Sequence, residues 1–155
     1  SPNIADVGPA IHDIFIVLKH NSGGPVVVKF KTQMTGATMS PVGETVPPPF
    51  VAIGTAAAGI EIGFTSCRTT DVYVMKATYF GTGTSPQCSY YSVIPHAGSE
   101  IPGQVITVDC NTPFGNLHAI PAGQAIINPG APPAQCDCNI PVGESTWGAV
   151  KALYR

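Results

Sequence analysis

The chain has 155 residues, enough for one domain with a buried core. A hydrophobic fraction of 44% excludes intrinsic disorder, and seven basic residues at a net charge of −2 exclude the basic patch that nucleic acid demands. Only 10% of residues are charged, against about a quarter in an ordinary soluble domain. So thinly charged an exterior is built from small polar residues, Gly and Pro, or is covered by neighbouring subunits or glycans.

Gly 17 and Pro 16 are scattered along the chain, which breaks helices throughout and leaves room for short strands. Residues 1–10 (SPNIADVGPA) read as an arm, with a start like the mature end left by leader cleavage. Residues 11–18 (IHDIFIVL) form a β-branched and aromatic run, and residues 26–31 alternate Val26, Val28 and Phe30 against Lys29 and Lys31. The Asn21-Ser22-Gly23-Gly24 link between them predicts a β-hairpin. Further strands are predicted at residues 50–53, 60–64, 71–80, 89–94, 104–110 and 125–128. Turn signals recur every ~8–15 residues. The pattern predicts an all-β fold, an antiparallel sandwich or jelly roll of about eight strands over residues 1–142. No run approaches the ~20 apolar residues of a membrane helix, so no transmembrane segment is expected.

The tail, residues 143–155, changes character. Ser145 or Thr146 can cap a short helix with Trp147, Val150 and Leu153 or Tyr154 on one face; an extra strand is the alternative. Residues 146–155 (TWGAVKALYR) resemble a T-W-G-x-hydrophobic-K-x-hydrophobic-Y-R ending of secreted and surface proteins of uncultured environmental bacteria. The resemblance implies a bacterial, extracellular setting and carries no catalytic residue across.

Five cysteines, Cys67, Cys88, Cys110, Cys136 and Cys138, predict a disulfide framework in an oxidising compartment. Cys67 and Cys88 flank a predicted strand of about ten residues, which sets them roughly 30 Å apart. A disulfide needs Cα atoms within about 7 Å. The spacing therefore predicts two bonds joining Cys67, Cys88 or Cys110 to Cys136 or Cys138, with one cysteine left over.

Catalytic and metal constellations are weak. Cys136-x-Cys138 is tighter than a zinc knuckle, and His12, His20, His96 and His118 show no paired spacing. Cys110 with His118 has the outline of a blue-copper loop, but no methionine follows to serve as axial ligand. The nine acids are isolated, and no G-x-S-x-G elbow occurs. Neither an enzymatic activity nor a cofactor is expected. Tyr90 and Tyr91 must point to opposite faces of a strand, a weak platform for sugar. Thr-, Ser- and Pro-rich loops at residues 45–49 and 81–86 are candidate acceptors for O-linked sugars.

Few charges, surplus hydrophobicity and five lysines to protect sheet edges point to self-assembly. The expected partner is a copy of the same chain, joined by strand exchange, with a monomeric glycan-binding or adhesion module as the alternative. Residues 1–18 are the first expected donor, through Ile11, Ile14, Phe15, Ile16, Val17 and Leu18. The tail is the second, through Trp147, Val150, Leu153 and Tyr154.

Overall fold

The structure is a computed structural model that describes residues 3–20, 23–111, 115–130 and 136. The tail and Cys138 therefore lie outside the described residues. The described chain is all β, with eleven strands in two sheets. They are β1 (Asn3–Ile4), β2 (Pro9–Leu18), β3 (Pro25–Thr35), β4 (Ser40–Thr45), β5 (Val51–Thr55) and β6 (Gly59–Gly63). There follow β7 (Val72–Thr82), β8 (Ser89–Ile94), β9 (Val105–Asp109), β10 (Leu117–Ile120) and β11 (Gln124–Ile127).

The smaller sheet has the order β2-β7-β4; the larger runs β1-β11-β8-β3-β6-β5, with β9 and β10 beside the first half of β3. β8 pairs with residues 31–35 of β3 and β9 with residues 25–29, so β8 and β9 are one long strand interrupted by residues 95–104. β10 and β11 continue one another in the same way, broken at residues 121–123. The eight expected strands correspond to β2, β3, β5–β9 and β11, and the structure adds β1, β4 and β10. β4 was hidden because Pro41 and Gly43 break its pattern; a register shift between them accommodates both.

The expected hairpin does not form. β2 pairs with β7 over ten positions in the smaller sheet, whereas β3 is central in the larger one. The link carries the chain from sheet to sheet instead of turning it within one. Gly24, at φ +67°, lies so close to Arg68 that a Cβ would sit 3.3 Å from its carbonyl oxygen. The pattern of residues 11–18 is right, but hydrophobic alternation names a strand without naming its neighbour.

Of the expected donor, residues 1–18, the described strands pair within their own chain, β2 with β7 and β1 with β11. β2 alternates: Ile14 and Leu18 are buried and Ile16 half-buried, while Ile11, Phe15 and Val17 are exposed. The core lies between the sheets in two clusters. One holds Leu18, Phe30, Ile60, Ile62, Phe64 and Val74; the other holds Ile14, Ala77, Tyr91, Ala125 and Ile127.

Candidate functional site

One long side of the sandwich is open. Among the described residues, β2 has no strand on its outer edge, and the facing edge of the larger sheet is β10 and, beside β11, the short β1. Between them runs a groove of about 870 Å³. Ile14, Ile16 and Leu18 form its β2 wall, Val28, Phe30 and Val93 line its base, and Ile120, Ala122 and Ala125 belong to the opposite wall. Its lining acidic and basic side chains, Asp13, Lys19 and His20, all belong to the β2 side, while Tyr91 of β8 lines it from the larger sheet.

Those charges are already answered. Asp13 accepts from Thr78 Oγ1 at 2.6 Å and from Lys76 Nζ at 3.1 Å, and these bonds, Thr78 foremost, hold its carboxyl below the usual value. Lys19 pairs with Asp71, which also accepts the His20 backbone N–H at 2.9 Å. The groove thus offers an apolar trough and a row of backbone groups, and its Asp13 and Lys19 charges are already paired. From residue 14 to residue 18 the edge carries neither charge nor proline, the usual devices that keep a sheet edge from pairing.

The groove's two ends differ. At one end, residues 5–8 join β1 to β2 and so close the two edges onto each other. Asp6 fixes that corner: its Oδ1 accepts from Gly83 N at 2.8 Å and its Oδ2 from Ser85 N at 3.1 Å. Asn128 donates to the Asp6 carbonyl at 3.0 Å and to the Ser85 carbonyl at 2.7 Å. Burial alone raises the Asp6 pKa, but hydrogen bonding to Ser85 and Gly83 outweighs it and the net direction is downward. At the other end the chain leaves β2 for β3 at the sheet's centre, so the edges of β2 and β10 are not joined there.

Asp109 anchors that second end. Its carboxylate accepts from Asn111 N at 3.1 Å and Asn116 N at 2.7 Å, and lies 2.9 Å from His118 Nε2. The His118 contact above all, against burial, holds Asp109 far below the usual carboxylate range. These bonds clamp the turn between β9 and β10. The blue-copper outline fails here, because the Cys110 sulfur is bonded to Cys67.

Among the described residues there are two disulfides, Cys67–Cys110 and Cys88–Cys136. Cys88–Cys136 fastens the C-terminal segment to the sandwich. Cys67–Cys110 departs from the expected pairing, since it ties two loops of the sandwich together at the Asp109 end. The reason is topological: β9 antiparallel to β3 delivers Cys110 to the end where Pro25 accepts the Arg68 N–H.

The predicted assembly residues divide accordingly. Ile14, Ile16 and Leu18 face the interior and the groove, while Ile11, Phe15 and Val17 lie on the outer face beside Tyr73 and Phe80 of β7. Phe15 and Tyr73 pack with ring centroids 5.8 Å apart. Val51 and Ile53 are exposed on edge strand β5, at 64% and 69%. Trp147, Val150, Leu153 and Tyr154 lie outside the described residues. Sequence reasoning missed the wall at Ile120, Ala122 and Ala125, where Pro121 and Gly123 break the alternation. In the candidate glycan loop, Thr84 shares its hydroxyl with Thr38 at 2.7 Å and Thr82 at 2.8 Å. Tyr91 is buried and Tyr90 half-buried.

No protein-family model matches the chain, and no curated protein matches it. A solved structure similar to it is the seventh ScaB type I cohesin from Pseudobacteroides cellulosolvens, at a TM-score of 0.50 and 14% identity. The match covers 84% of this chain and 89% of the cohesin. The chain is similar in fold to a cohesin. At that identity the likeness concerns the β-sandwich alone, and the groove is argued from this chain's own residues.

Proposed function

We propose that this chain is a structural subunit of an extracellular bacterial filament or surface assembly, in which an extended apolar strand from a neighbouring copy fills the groove beside β2. The observation that carries the reading is the groove itself: about 870 Å³ of apolar trough along an unpaired strand edge. Strand addition satisfies such an edge through backbone hydrogen bonds, while alternate side chains enter the trough. Two disulfides support an oxidising, extracellular setting. A subunit that contacts its neighbours head to tail forms an open polymer.

Electron microscopy of native material, with sizing under non-denaturing conditions, tests the proposal. Filaments or a ladder of oligomers are expected; a strictly monomeric species at all concentrations rules the reading out. The exposed Phe15–Tyr73 pair favours a second reading, a monomeric glycan-binding module with a stacking platform. A monomer whose retention on immobilised glycan falls on Tyr73→Ala selects that alternative.

A further inference from the structure

Resting on that reading, we infer that the strand entering the groove is the C-terminal segment, residues 146–155, of a second copy of this chain. β2 is itself one wall of the groove and pairs with β7 of its own chain, so the occupant is sought in another segment.

Three observations select the tail and place it in a neighbour. The first is length. The groove is lined by residues 13–18 of β2 and by Lys19 and His20 just beyond it, eight residues that would span about 26 Å if fully extended. Residues 147–154 provide eight positions to match. In extended form Gly148, Val150, Ala152 and Tyr154 share one face, so an uncharged face meets an apolar trough. Lys151 falls on the opposite face, toward solvent.

The second is where the tail is rooted. Cys136 is bonded to Cys88, and the Cys88 backbone N–H donates to the Asn128 carbonyl at 3.0 Å, so the root sits at the Asp6 end. Nine residues, 137–145, separate it from the donor segment, ten Cα steps that reach at most about 36 Å.

The third is which end of the groove is open. Residues 5–8 close it at the Asp6 end, beside the tail's own root, and the opening lies one strand length away. A copy stacked with its Asp6 end against the next copy's Asp109 end brings its tail directly to that opening. The contact is heterologous and does not close, which is the geometry of a filament.

The test uses full-length chains. Val150→Asp with Tyr154→Asp disables the tail and spares the groove; Ala122→Trp fills the groove and spares the tail. A second groove variant, Gly123→Trp, guards against misfolding of the first, since a Cβ at Gly123 meets no atom within 4 Å. Circular dichroism and thermal melting establish that each variant folds. Alone, each should lose the ladder that the unmodified chain forms. Mixed, tail-disabled and groove-filled copies should stop at dimers, because only one competent tail meets one competent groove.

Benzoylphenylalanine at position 17, on the β2 rim, should crosslink to residues 146–155 of a differently isotope-labelled copy. A ladder that survives the tail substitutions but not Ala122→Trp overturns the tail as occupant and leaves the groove reading standing. A ladder that survives both overturns both. Crosslinks to the tail confined to single copies show the tail folding back on its own chain and overturn the second copy. Absence of any crosslink to the tail overturns the inference as well.

Discussion

Asp6 and Asn128, 122 positions apart, hold each other by reciprocal bonds: the Asp6 N–H donates to Asn128 Oδ1 at 2.7 Å and Asn128 Nδ2 donates back to the Asp6 carbonyl at 3.0 Å. Asn128 adopts φ +51°, a left-handed conformation that asparagine tolerates better than most residues. Through this pair the first strand and the end of β11 become one structural corner.

Asp6→Ala removes the acceptor from the Gly83 and Ser85 N–H groups, of which the Ser85 bond is buried. Leaving such donors unpaired costs about 1–3 kcal/mol each, so a loss of roughly 2–4 kcal/mol is expected. Urea denaturation measures it. A loss below about 0.5 kcal/mol would show that water replaces the carboxylate and that the corner is not fixed by Asp6.

Acid should weaken the fold in a defined direction. Asp6 and Asp109 both sit below the ordinary value of 3.8 in the folded chain. A carboxyl depressed by folding stabilises fully above its unfolded pKa, and that contribution is lost as pH falls through the folded value. Stability contributed by these two groups should therefore be flat from neutral pH to about 5 and decline steadily below about 4. Urea midpoints against pH check the slope, and Asp109→Asn should make it shallower. An unchanged slope in that variant would remove Asp109 as a source of the acid sensitivity.

The disulfides close loops of similar size, with sequence separations of 43 and 48. Loop entropy assigns about 4 kcal/mol to each, so Cys67→Ser and Cys88→Ser should destabilise by comparable amounts, up to that figure. Their consequences for assembly should differ. Cys88→Ser frees the tail's root at the Asp6 end, whereas Cys67→Ser leaves it fastened. Non-reducing peptide mapping checks the connectivity first, and recovery of Cys67 joined to Cys136 would contradict the structure.

Much of this architecture is legible in the sequence, and the reason lies in side-chain periodicity. Ile60 and Ile62 alternate with Glu61, and the structure buries the first two while leaving Glu61 to pair with Lys29 at 2.7 Å. Residues 89–94 coincide with β8. Pairing is another matter, because β2 reads the same whether its neighbour is β3 or β7. The Gly23-Gly24 step signals a change of direction without saying whether it stays within a sheet. The groove was illegible for a related reason: an edge is defined by which strand is missing beside it, a property of topology. Its wall at Ala122 and Ala125 also comes from residues too small to mark a periodic pattern.

Ile14 and Phe15 are adjacent on β2 and face opposite ways, which gives the sharpest contrast in substitution. Ile14 is buried and packs in the cluster with Ala77, Tyr91 and Ile127; Phe15 is 61% exposed. Ile14→Ala removes buried methylenes and leaves a cavity, for an expected loss of about 2–5 kcal/mol. Phe15→Thr replaces one strand-favouring residue by another on the outer face and sacrifices mainly the ring contact with Tyr73, so a change within about 1 kcal/mol is expected. Because Phe15, Val17 and Tyr73 form one exposed apolar patch, the same substitution should also lower non-specific aggregation of the isolated chain. Chemical denaturation and light scattering measure the two effects separately. A Phe15→Thr loss as large as that of Ile14→Ala would mean that the outer face of β2 is covered in the folded protein, and that the smaller sheet has a partner on that side.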